Sequence, residues 1–460
     1  MLLAVVYNAV LLGHDTQLVT DMPVVRNLLI DRHFVVPLRG INFRLDTSGV
    51  VGVFGGEHAL SAMSTIPLYK NWKWLGWYNS PGSYEIAKRY GGLAKSRFFD
   101  GLFPGSRTDP ATLFEMDGSK GPKFEAAHSG TVIEETSHLA DLFMKECEEL
   151  DGKVIGGRET QRVGVTIADL KYEPPTKVIL KQVVSHSPVI SGIPILVSAG
   201  TCITCAFMDD WFSSSMILLG MVVSGISCLV IGSGTFIFTH PEPAPGCPPG
   251  DGIICSEKEI VLLKGKEGAV NAITRGKFGL CFKSEPNYHA MGWCSVLLMT
   301  QFLAQLLLIP QGTLFGQFMF ITSIAVSWGH NMWLSSLNKE NIQRRILMQE
   351  VLRQPKLTRY IFPNRTSTVV FVLLASHSEK LEKLMNDLLP NETKVWEKWK
   401  ATVIERLVEG KRLEFHPSEW EDLDFFPEER SLLKTLYNDA NSAWYAHDSL
   451  CRNQGTVRMV

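Results

Sequence analysis

Two tracts of the chain run for long distances almost without charge. From Pro286 to Asn338 there is no Asp, Glu, Lys or Arg, and from Gln182 to Thr239 only Asp209 and Asp210 break the pattern. Four stretches inside these tracts, 188–208, 213–238, 290–309 and 313–334, are apolar on all sides and carry no polar stripe. That separates them from helices buried in a soluble core. At 1.5 Å per residue, each can cross a hydrocarbon layer of about 30 Å. Asp209-Asp210 divides the first pair and Pro310-Gln311-Gly312 the second, so the pattern predicts two transmembrane hairpins, at 188–239 and 289–335.

Outside the hairpins the periodicity is mixed. RVGVTI (162–167), TKVILKQVV (176–184), EIVLLKG and STVVFVLLAS (367–376) read as strands, as does GVVGVFGG (49–56). AVNAITRGKFGLCF reads as further strands with glycine turns. Residues 135–152, 341–354, 378–389 and 393–409 read as helices, and HPEPAPGCPPGDG is too rich in Pro and Gly for regular structure. The expected fold is therefore a membrane all-α bundle of four transmembrane helices with a mixed α/β or α+β cytoplasmic domain. That domain comes from regions 14–187, 240–288 and 336–460. Residues 1–13, MLLAVVYNAVLLG, read as a truncated or interfacial membrane segment, or as a short fifth span.

Charge supplies the orientation. The two short turns hold no Lys or Arg. Lys171, Lys177 and Lys181 precede the first hairpin, Lys258 to Lys283 fill the loop between hairpins, and Lys339, Arg344, Arg345, Arg353, Lys356 and Arg359 follow the second. All three groups fall on one face, which the positive-inside rule makes cytoplasmic. A net charge of −2 gives no case for a nucleic-acid partner. Nine cysteines in 460 residues do not make a disulfide scaffold.

Candidate chemistry is sparse. Asp209 and Asp210 are expected to cap a wet turn, solvated and without partners. Gly220, Ser224, Cys228 and Gly232 recur every four residues and predict a face for close helix packing, including packing against a second copy of the chain. Cys202-x-x-Cys205 lacks the further ligands a zinc site needs and reads as small packing residues. Gln301 and Gln305, one turn apart, predict an interhelical hydrogen bond, or alternatively the lining of a substrate path. Glu135-x-x-His138 is half of a di-iron motif whose other half is absent from the sequence. KNWKWLGWYN (70–79) reads as domain core, with a segment at the membrane surface as the alternative. No cofactor, metal or catalytic signature emerges.

Several blocks carry a resemblance: HSGTVIEETSHLADLF, ILKQVVSHSPVISGIPILV, HPEPAPGCPPGDG, LLKGKEGAVNAITRGKFGL, WCSVLL and LIPQGTLFGQ. Together they resemble an uncharacterised multi-pass membrane protein family of mushroom-forming (basidiomycete) fungi, over roughly residues 125–345. The resemblance implies an integral membrane location and adds no activity or site. Members of that family begin further upstream, which puts Met1 inside a first span. The sequence favours a non-enzymatic scaffold or sensor that displays its cytoplasmic domain in a lipid bilayer. An oligomeric channel or transporter ranks second and a membrane-embedded enzyme third.

Overall fold

A computed structural model describes residues 54–104, 109–182, 188–376, 378, 380–421 and 425–453. The opening segment 1–13 and residues 49–53 of the strand expected at 49–56 lie outside the described residues, and the rest of that stretch is a turn at Phe54-Gly55 leading into a helix at Gly56. Four long helices form a bundle: α4 (Pro188–Phe207), α5 (Trp211–Ile231), α7 (His289–Leu308) and α8 (Leu314–Ser335). Three helical stretches, Val189–Phe207, Trp211–Ile231 and His289–Gln311, are long and apolar enough to cross a membrane. The fourth expected span forms α8, but it is less apolar. Gln317, Ser323, Ser327, His330 and Asn331 lie buried on its inner face.

The regions flanking the hairpins build one seven-stranded sheet in the order β2-β1-β7-β8-β4-β10-β3. Its strands are β1 (Lys123–Ala126), β2 (Val132–Ile133), β3 (Lys153–Val154), β4 (Val163–Leu170), β7 (Gly252–Cys255), β8 (Glu259–Gly265) and β10 (Lys356–Phe362). The central strands β4 and β8 are covered on both faces, which is why they read as nearly continuous apolar runs. Val163, Val165, Ile167, Ile260 and Leu262 pack beneath α10 (Arg365–Ser376), α12 (Lys394–Val408) and α13 (Pro427–Asn453). The other face sets Ala168, Leu170, Val261 and Leu263 against α3 (His138–Glu149) and α6 (Glu267–Thr274), in a cluster that continues to Val223, Cys228 and Leu298 of the bundle. Sheet and bundle thus share one core. A second sheet, β5 (Lys177–Ile179), β6 (Thr235–Thr239) and β9 (Lys277–Cys281), has strands just before α4, just after α5 and shortly before α7.

Gly164 of β4 stands opposite Glu259 of β8, two residues before Thr166, which faces Arg359 of β10, and a Cβ at Gly164 would stand 1.8 Å from the Glu259 carboxylate. The glycine lets the Glu259–Arg359 pair, at 2.8 Å, pass across the middle strand. Arg359 Nη1 also donates to the carbonyls of Glu148 and Leu150 at the end of α3.

Two expected strands are helices. STVVFVLLAS forms α10, buried on nearly all sides, and Asn364 caps it by accepting from Ser367 N–H at 2.8 Å. AVNAIT forms α6, also fully enclosed. Short β-branched runs have no polar face, so period alone does not separate strand from helix.

Candidate functional site

Within the expected 14–187 region, residues 56–91 pack against the helices of the bundle. Helix α1 (Gly56–Thr65) packs along α8, and Lys339, just past α8, donates to Ser61 and Ser64 and pairs with Glu115. The chain then turns inward along α5. Lys73 meets Gly232, Gly76 meets Cys228, Trp77 meets Gly225 and Asn79 meets Gly220. From Gly232 to Gly220 this descent covers about 18 Å of helix. At Asn79-Ser80-Pro81-Gly82 the chain reverses and leaves as α2 (Ser83–Gly91) against α7, with Tyr84 5.4 Å from Phe302 and Lys95 N–H donating to the Asn287 carbonyl. The small residues of α5 therefore receive the chain's own segment. Among the described residues, that face is packed against residues 73–79 of the chain itself.

Trp72, Tyr78, Asn79 and Ser80 are buried in this insertion, and only Trp74 of the aromatic cluster is well exposed. Asn79 joins the two hairpins. Its backbone N–H donates to Ser198 Oγ at 3.1 Å, which in turn lies 3.1 Å from Ser323 Oγ. Its side-chain oxygen accepts from Gln305 Nε2 at 3.3 Å, and Gln301 Nε2 donates to Gln305 Oε1 at 3.4 Å. Gln301 and Gln305 are each 1% exposed, so the structure brings both sequence candidates to one place, at the reversal of the inserted segment. Tyr78 donates to Asn331, whose amide donates to Ser80, and His330 Nε2 lies 3.1 Å from Ser191 Oγ.

Among the described residues, buried polar atoms without a hydrogen-bond partner include Asn79 Nδ2 and Tyr90 Oη on the inserted hairpin and Ser224 Oγ, Gln301 Oε1, Gln317 Oε1, Ser327 Oγ and His330 Nδ1 on the long helices. Buried polar groups are nearly always paired, so these atoms are free to bond an ordered water or another small molecule. The side chains are amides, hydroxyls and one imidazole, with no carboxylate, ammonium or guanidinium among them. Sequence reasoning found Gln301 and Gln305 because polar residues stand out in an apolar run. It missed Asn79, Ser80 and Tyr78, which sit in a polar context of their own.

The expectation for Asp210 is corrected. It is 2% exposed and accepts from Ser213 N–H and Oγ at 3.0 and 3.1 Å and from Thr313 N–H and Oγ1 at 2.7 and 2.6 Å. One carboxylate thus ties the turn of the first hairpin to that of the second. Asp209 is exposed, at a left-handed φ of 58°.

Glu135 and His138 both line a cavity of about 400 Å³. Glu135 pairs with Lys120 there, and His138 lies within hydrogen-bond distance of the Ser119 carbonyl and Gln343. Among the described residues no group of three or more His, Cys, Asp or Glu is placed to hold a metal. Cys202 Sγ reaches Ser214, and Cys205 packs with Met216 and Phe320. No protein-family model matches the chain, and no curated protein or solved structure matches it either.

Proposed function

We propose that the chain is an integral multi-pass membrane protein in which residues 69–93 form a re-entrant hairpin carrying an uncharged site deep between the spans. It holds or passes a small, neutral, hydrogen-bonding solute there, with the sheet domain on the cytoplasmic face. The observation that carries this reading is the set of unpartnered polar atoms around Asn79. Each such atom costs several kcal/mol in hydrocarbon, and irregular backbone at membrane depth is tolerated only where it is buried in protein or lines a cavity. A bundle that merely anchors a scaffold needs neither. The conduit therefore moves ahead of the scaffold or sensor that the sequence alone favoured. Ion and proton pathways use charged groups, so the all-neutral lining fits an uncharged solute.

Liposomes containing the protein are expected to re-swell faster in urea or glycerol than protein-free liposomes, with no response to sodium gluconate. Asn79→Leu or Gln301→Leu should abolish the difference, while outward-facing Thr300→Val retains it. Identical re-swelling with and without protein would restore the scaffold reading.

A second reading rests on one contact, Ser191 Oγ to His330 Nε2 at 3.1 Å, the reach of a nucleophile and its base. It ranks lower because His330 Nδ1 lacks the third group that fixes the tautomer of a catalytic imidazole. A fluorophosphonate would bond to Ser191 Oγ with loss of fluoride. Labelling that disappears in Ser191→Ala supports a hydrolase, and an unlabelled protein leaves the pair as packing.

A further inference from the structure

We infer that Lys70, Lys73, Lys181 and Arg345 form a surface for the head group of an anionic phospholipid, at the end of the bundle nearest the sheets. The inference rests on the membrane placement proposed above and not on solute passage.

Three distant parts of the chain meet here. Gln182, next to Lys181, donates to the Pro67 carbonyl at 3.0 Å, which pins the approach to α4 against the loop that holds Lys70 and Lys73. Tyr69 stacks on Trp72 at 4.2 Å, and α9 (Lys339–Ile346), which carries the exposed Arg345, is tied to the same region by Lys339, which donates to Ser61 and Ser64. Lys73 sits 5.7 Å over the Trp74 ring, with its Cβ against Gly232 at the end of α5.

None of these four cations forms an ion pair among the described residues. Nearby cations do: Arg344 holds Glu146 and Glu149, Lys339 holds Glu115, and Arg359 holds Glu259. Four uncompensated positive charges from three segments are a standing attraction for an anion.

The setting selects a lipid. Trp74 is 56% exposed beside the cations, and Val189 at the start of α4 is 81% exposed. An exposed aromatic at the border of an exposed apolar face marks the head-group level of a bilayer. The opposite end of the bundle also exposes aromatics, Trp211 and Phe212, but its turns hold no Lys or Arg and expose Asp209. Among the described residues, only this end of the bundle therefore offers a basic surface. Basic clusters at the cytoplasmic end of spans attract anionic lipids, with about a fivefold affinity gain per cation.

The full-length protein in neutral detergent would be titrated with phosphatidylserine, phosphatidylcholine and inorganic phosphate. Phosphatidylserine should bind at least tenfold more tightly than phosphatidylcholine, and less tightly as salt rises. The variant Lys70→Gln/Lys73→Gln/Lys181→Gln/Arg345→Gln should lose at least tenfold of that preference. A control with Lys153, Lys394, Lys398 and Lys434 changed to Gln, all exposed on the sheet domain, should keep it. If the first variant unfolds, Lys70→Gln/Lys73→Gln should still lose several-fold. Equal affinity for the two lipids, an equal loss in the control, or saturable phosphate binding with no lipid preference would each overturn the inference. A chain that stays soluble once detergent is removed would instead overturn the membrane placement, a separate result.

Discussion

At position 210 a buried carboxylate accepts from two backbone N–H groups and two hydroxyls, so it caps α5 and holds Thr313, the residue that caps α8. Its neighbour makes no such contact. Loss of a helix cap typically costs about 1 kcal/mol, and stranding buried donors costs about 1–3 kcal/mol more. Asp210→Ala should therefore destabilise by roughly 3 kcal/mol or more, read as a large fall in melting temperature in detergent. Asp209→Gly should be neutral or slightly stabilising, because glycine takes the left-handed backbone without strain. Equal effects at the two positions would refute the assignment. The sequence shows two adjacent acids at a turn and nothing that separates them. What distinguishes them is Thr313, 103 residues away, and tertiary contacts of that range leave no local trace.

The elements were legible where burial left a pattern and illegible where it erased one. The long apolar helices, the strands β4 and β8 and the helix α12 follow from the pattern of apolar positions. α10 and α6 are enclosed on nearly all sides, so their apolar runs show no preferred period. Asn364 offered the one local signal for α10, a helix cap following Pro363. The ladder on α5 was legible as a contact face, but its occupant was not, because the descending segment, one short 3-10 turn at Trp72–Trp74 and then irregular chain, shows no period. A Cβ at Gly76 would stand 2.1 Å from Cys228 Sγ, so Gly76→Ala should cost about 1–3 kcal/mol by overpacking. Gly200 on α4 has open space around its Cβ position. Gly200→Ala should be neutral or stabilise by up to about 1 kcal/mol through helix propensity. The ladder assignment fails if the two substitutions shift the melting temperature alike.

Across the whole molecule, the order of the chain makes sheet and bundle interdependent. β1 to β4 precede the first hairpin, β7 and β8 lie between hairpins, and β10 follows the second. The sheet can assemble only when both hairpins have brought their ends together. The shared cluster that runs from Leu263 and Val261 through Phe143 to Cys228 and Leu298 leaves no apolar boundary along which the two halves could part. Small domains unfold as one unit when a single core joins their parts, and the same physics applies to this junction. Calorimetry in detergent should show one cooperative transition, with tryptophan fluorescence and far-ultraviolet dichroism superimposed. Asp210→Ala, placed at the bundle end remote from the sheets, should lower that transition as a whole, including the part reported by Trp399 in the far helical layer. Two separated transitions, or a sheet signal indifferent to Asp210→Ala, would mean that the lobe rides on the bundle as an independent body. In that case a solute held near Asn79 would have no mechanical route to the sheet, and sensing by the lobe would have to begin elsewhere.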